Sequence, residues 1–201
     1  MKSNNLWSVS SKVMLMSFFA SIISFMLTCL IVVVSSNLFF GSDAPGVRIF
    51  MQIVGLIVQL IFTYGVIWEC GHTDAHRVRL GEGKYSEYRG FLIGLIASIP
   101  FFIMSISMTL MTFDILPDIT GLMRVCSAQF WGIYTFLLPV ATTHIEQGES
   151  GHIAQSVATP VQAICAAFVP VIIPLLAQFP YKMGRIGFSF GEKILLTNKK
   201  K

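Results

Sequence analysis

The residues able to do chemistry are few, and most of them crowd into one stretch, WECGHTDAHRVRLGEGKYSEYRG at 68–90. Glu69, His72 and His76 stand there at i, i+3 and i+7, so a helix through this stretch sets all three on one face. Imidazole and carboxylate in that arrangement suit zinc, iron or nickel. The other two histidines fall in THIEQGESGHIAQ (143–155), beside Glu146 and Glu149. The candidate metal set is therefore Glu69, His72, His76, His144 and His152. Against it, the spacing is not HExxH, the intervening residues have no defined role, and Gly71 interrupts the helical pattern. The competing explanation is that histidines and acids favour watery loops and helix ends. The four cysteines (Cys29, Cys70, Cys126, Cys165) are scattered and form no CxxC pair, so neither a disulfide framework nor a zinc site follows. GxGD, GxSG and DDxxD signatures are absent, no catalytic residue is assigned, and no cofactor is implied.

The elements that must hold these residues are set by composition. Apolar residues make up 54% of the 201 and charged residues 12%, against about 25% charged in a soluble domain. Mean hydropathy is +0.73. A chain so poor in charge cannot cover a water-facing surface, and its apolar residues gather into runs long enough to cross a bilayer. The fold class expected is an all-α integral membrane protein, a single transmembrane domain over 1–201. Five hydrophobic helices are expected, at 13–40, 49–68, 90–113, 122–143 and 157–179, followed by a basic tail at 180–201. The first run follows Lys2 and Lys12 but greatly exceeds the roughly 7–15 apolar residues of a cleavable signal, so it reads as a retained span. Pro100 is expected to kink the third run, and Pro170 and Pro174 to break the fifth.

Lysine and arginine positions pose a conflict of topology. If all five runs cross, the basic residues divide six against eight, almost without bias. If one of the last two runs does not cross, both termini and the 69–89 loop share a face and the division becomes twelve against two. Positive residues collect on the cytoplasmic side, which favours the second arrangement with the N-terminus and the 69–89 loop cytoplasmic. The proline-rich fifth run is the expected re-entrant segment; the alternative is an ordinary kinked span.

Within the runs, small residues recur every four positions, and Gly90, Gly94 and Ser98 form a candidate close-packing face. No acid, lysine or arginine sits in the middle of a run, which argues against a proton-coupled pump. Gln129 and Gln162 are the residues expected to line a solute path, should one exist. Lys182, Arg185, Lys193, Lys199, Lys200 and Lys201 give the tail a basic face suited to anionic lipid headgroups. A lipid bilayer is thus the expected partner, along with a membrane protein or a second copy. No RNP-like, zinc-finger or helix-turn-helix pattern points to nucleic acid.

Two stretches, YRGFLIGLIASIP (88–100) and PYKMGRIGFSFGEKI (180–194), resemble small multi-pass membrane proteins of Gram-positive bacteria. The resemblance implies a bacterial inner-membrane location and transfers no catalytic residues. The leading expectation is a non-catalytic membrane component or subunit of a larger transport or envelope complex. The alternatives are a small-solute carrier or channel and, third, a metal-dependent membrane enzyme using the loop histidines.

Overall fold

Long apolar runs without charge satisfy their backbone hydrogen bonds internally as helix, and the regular structure is helical throughout the described residues. A computed structural model describes residues 5–37, 45–81, 86–112, 115–116, 122, 125–137 and 160–187. The helices are α1 (Leu6–Asn37), α2 (Pro45–Arg79), α3 (Arg89–Thr112), α4 (Trp131–Leu137), α5 (Pro160–Ala167) and α6 (Ile172–Ile186). A 3-10 turn, Ala128–Phe130, leads into α4, and a second, Val169–Val171, separates α5 from α6.

Four stretches of these helices are long and apolar enough to cross a membrane: Leu6–Val34, Ile49–Arg79, Arg89–Met111 and Val161–Ile186. The shortest is 23 residues, about 35 Å at a rise of 1.5 Å per residue. The fifth apolar run, expected to be the re-entrant one, is among these four. In the fourth run, the described portion holds helical residues at 122 and 125–126, the first 3-10 turn and the seven residues of α4.

Two helices extend beyond their apolar runs. α2 continues through 69–79, residues expected to form a loop. Gly71 is the weakest helix former there, and His76, Arg77 and Arg79 in the last turn complement the negative end of the helix dipole. Gly81 ends it at φ 76°, donating to the carbonyl of Val78. α6 likewise runs to Ile186, taking in Tyr181 and Lys182 from the expected tail, and stops at Gly187 with φ 72°. α3 is continuous through Pro100.

The chain divides into two compact units. Unit 1 contains 1–17, 60–98 and 171–201. Its core joins Val9 and Val13 of α1, Ile67 and Cys70 of α2, Ile93 and Ala97 of α3, and Ala177 and Tyr181 of α6. The start of α1, the end of α2, the start of α3 and the end of α6 therefore meet here. Unit 2 contains 18–59 and 99–170. In it the Phe18 and Phe101 rings stack at 5.0 Å, and Phe101 meets Phe130 edge-on at 6.4 Å.

α3 is antiparallel to the α5–α6 segment within each unit. In unit 1, Gly90 faces Tyr181 and Gly94 faces Pro174 and Ala177. In unit 2, the Ser105 hydroxyl donates to the Ala166 carbonyl and Thr109 Oγ1 donates to that of Ala163. The end of α3 is thus bonded to the start of α5, so the chain departs at 112 and re-emerges at 160 beside the same end.

Candidate functional site

In unit 1 the buried carboxylate is Asp74, on the face of α2 opposite the three expected metal ligands. Glu69, His72 and His76 are all exposed, whereas Asp74 is 6% exposed. Arg89 Nη1 donates to Asp74 Oδ1 at 2.8 Å, and the Tyr181 hydroxyl donates to Oδ2 at 2.9 Å. Each carboxylate oxygen has a strong donor, one from the first residue of α3 and one from α6. The Cys70 thiol lies one turn back on α2, 4.0 Å from Oδ2. A buried carboxylate held this way is a latch among three helices, since removing Arg89 leaves its charge without compensation and removing the Tyr181 hydroxyl leaves one oxygen without its donor.

Close backbone approach makes the latch reachable. A Cβ on Gly71 would collide with the Tyr181 carbonyl, and one on Gly184 with the Trp68 carbonyl, so α2 and α6 cross glycine to backbone. On the adjoining face a Cβ on Gly90 would lie 2.5 Å from Tyr181 Cβ, and one on Gly94 2.5 Å from Pro174 Cα. Ser98, also fully buried, donates its hydroxyl to the Leu95 carbonyl at 2.8 Å. Gln178 of α6 serves the start of α3: its Oε1 accepts from the Phe91 N–H and its Nε2 donates to the Glu87 carbonyl, both at 2.8 Å. An N–H of the first helical turn has no intrahelical partner, and this side chain supplies one from another helix.

His72 stacks on Trp68, ring centroids 5.2 Å apart and 12° from parallel. His144 and His152 lie outside the described residues. Among the described residues no three His, Cys, Asp or Glu side chains gather where a metal ion could be held. Lys182 and Arg185 are exposed on α6, and Lys193, Lys199, Lys200 and Lys201 lie outside the described residues.

In unit 2 the polar centre is Gln129, fully buried in the 3-10 turn before α4. A regular helix would bond the Ile133 N–H to the Gln129 carbonyl. Gln52 of α2 replaces that bond: its Nε2 donates to the Gln129 carbonyl at 2.9 Å, and its Oε1 accepts from the Ile133 N–H at 3.0 Å. A side-chain amide inserted into the backbone ladder opens a helix at that point. Gly55, one turn along, admits the approach, because a Cβ there would lie 2.8 Å from the Gln129 carbonyl oxygen.

The Gln129 side chain points to α1, where Ser21 Oγ donates to its Oε1 at 3.0 Å. Its Nε2, also buried, has no hydrogen-bond partner. Ser24, three residues along the same face of α1 and 2% exposed, likewise has an unpartnered hydroxyl. No charged side chain is described in this unit. Gln162, the other glutamine of the expected solute path, is half-buried on α5.

Sequence reasoning did not find the Asp74–Arg89–Tyr181 latch, the Gln178 cap or the Gln52 insertion. Asp74 and Arg89 carry a legible signal, opposite charges bracketing the turn between two apolar runs. Gln178 and Gln52 show only as lone amides in apolar helices, and their partners depend on tertiary placement.

Fold and geometry define an all-helical protein with four helices suited to crossing a membrane. The chain matches no protein-family model, no curated protein and no solved structure.

Proposed function

We propose that the chain inserts into the membrane as four spans, with the fourth apolar run entering and leaving on one side, and that it acts as a non-catalytic subunit of a larger transport or envelope complex. Two independent features support the four-span arrangement. The end of α3 and the start of α5 are hydrogen-bonded together in unit 2, so the intervening run returns to its starting end. Unit 1 gathers the residues adjoining both termini and the turn between α2 and α3. Assigning those three ends to one face yields the twelve-against-two division of basic residues, and the positive-inside rule makes that face cytoplasmic.

The observation that carries the non-catalytic reading is the state of Asp74. Among the described residues it is the one buried acid, and both its oxygens are held by Arg89 and Tyr181. A carboxylate engaged by a cation and a hydroxyl from two other helices is suited to holding those helices together. A partner subunit is favoured by α2, where Ile49, Ile53, Ile57 and Ile61 form an exposed row four residues apart that ends at Gly65. A Cβ on Gly65 would meet nothing within 4 Å, so the row ends in a notch that a second helix could fill.

A reporter fused after Lys201 is expected to be active on the cytoplasmic side; activity confined to the other side overturns the four-span arrangement. Extraction in mild detergent is expected to bring down a second membrane protein in fixed proportion, and Ile57→Trp to lose it. A chain that purifies alone and as a single species from several mild detergents defeats the subunit reading.

A further inference from the structure

The Gln129 centre has a feature that packing alone leaves unexplained. The Gln52 carboxamide is engaged at both ends, by the Gln129 carbonyl and the Ile133 N–H. In the Gln129 carboxamide the Oε1 end is fixed by Ser21 while the Nε2 end, with two N–H donors, is buried without an acceptor. Leaving a buried donor unsatisfied costs about 1–3 kcal/mol, and polar groups in such positions bind water or ligand. Ser24 adds a second unpartnered hydroxyl on the same α1 face as Ser21, since residues three apart are neighbours on a helix. The site lies at a break in the helical backbone, and such breaks at membrane depth are tolerated where they are buried in protein or line a cavity.

We infer that the Gln129 amide, with the Ser24 hydroxyl, is the recognition point for a small neutral molecule crossing the membrane through unit 2. Two N–H donors select an oxygen acceptor. No acid, lysine or arginine sits in the middle of an apolar run, so the runs themselves offer an ion no counter-charge, which disfavours ions. The ligand class is therefore a neutral hydroxyl or carbonyl compound, or water itself, which presents the same acceptor. The inference goes beyond the subunit role and uses the four-span arrangement, which the Lys201 reporter tests separately.

The full chain in proteoliposomes, followed by stopped-flow light scattering, tests it with three gradients: glycerol, urea and an impermeant osmolyte that reports water alone. Vesicles with the wild-type chain are expected to equilibrate faster than protein-free vesicles in at least one gradient. Gln129→Leu is expected to bring that rate down ~10-fold, the loss of about one hydrogen bond to a buried group. Ser24→Ala leaves the Ser21 bond and the Gln52 bridge intact, so it keeps the test valid should Gln129→Leu fail to fold; it is expected to slow the same rate ~3-fold. Acceleration in the water gradient alone supports the site and identifies its occupant as water; acceleration by glycerol or urea identifies a carried solute. Wild-type rates equal to those of protein-free vesicles in all three gradients overturn the inference. So do wild-type rates retained in both variants.

Discussion

At the scale of single residues, Asp74 shows how one side chain can bind three helices. Its two oxygens are served by donors from α3 and α6 while its own backbone belongs to α2. Arg89→Ala leaves the carboxylate buried without its cation and is expected to destabilise the protein by about 3 kcal/mol. Tyr181→Phe removes one hydrogen bond to a charged group and keeps the ring packing, so about 1–2 kcal/mol is expected. Thermal unfolding in detergent measures both; a Tyr181→Phe loss exceeding that of Arg89→Ala would contradict the assignment of charge compensation to Arg89. Gly184 is equally specific. Even the single methyl of Gly184→Ala meets the Trp68 carbonyl, and forcing α2 and α6 apart is expected to cost about 2 kcal/mol. An unchanged melting temperature for Gly184→Ala would mean that the crossing is looser than described.

Among the elements, prolines and glutamines act as complementary parts. Pro170 has no N–H to offer the Ala166 carbonyl, and the Ser105 hydroxyl of α3 takes that carbonyl instead. The α5–α6 segment is thereby broken locally, at Val169–Val171, yet each part is an antiparallel neighbour of α3 within its own unit. Gln52 does the corresponding work at the start of α4, standing in for the missing bond between Ile133 and Gln129. Gln52→Leu keeps volume and removes both bonds, leaving a buried carbonyl and N–H unpaired. A loss of about 2–3 kcal/mol is expected, and hydrogen exchange at 128–137 should rise with exchange at 90–97 unaffected. Uniform acceleration at both places would show that Gln52 supports the fold in general and not this junction. These breaks were partly readable: the prolines are plain in the sequence, but nothing in it says that the fifth run would still form a helix of spanning length. The carbonyl left open at the break is met by Ser105, which lies 61 residues away.

For the whole molecule, the parity of the crossings decides what faces what. Single cysteines at Asn5 and Ser86, in a background with the four native cysteines replaced, are expected to react with an impermeant thiol reagent from the same side of the membrane. A single cysteine at Ile115, which follows α3 in unit 2, is expected to react only from the other. Labelling of all three from one side, or of Asn5 and Ser86 from opposite sides, would break the four-span arrangement. Charge counting in the sequence favours an even number of crossings but does not say which run would turn back. The proline-rich fifth run was the natural choice, because proline disrupts helices. In the fold, the fifth run meets α3 at Ala163 in unit 2 and at Tyr181 in unit 1, and the described part of the fourth holds helical residues at 122 and 125–126, a 3-10 turn and the seven residues of α4.

The sequence by itself determined the helical class and the location of four apolar helices, because uncharged runs of this length satisfy their backbone only as helix. It also supplied the glycines at 90 and 94, since residues without side-chain bulk mark close approach whatever the partner. Tertiary structure alone decided what those residues meet. Asp74, Arg89 and Tyr181 come from three helices, and Ser21, Gln52 and Gln129 are equally far apart along the chain. Their pairing depends on the antiparallel placement of α3 against α5 and α6, and on glycines that let backbones touch. Local periodicity showed Glu69, His72 and His76 on one face but not that this face would point outward. Burial is a property of neighbours, and α2 draws its neighbours from α1, from Arg89 fifteen residues beyond Asp74 and from Tyr181 107 residues beyond it.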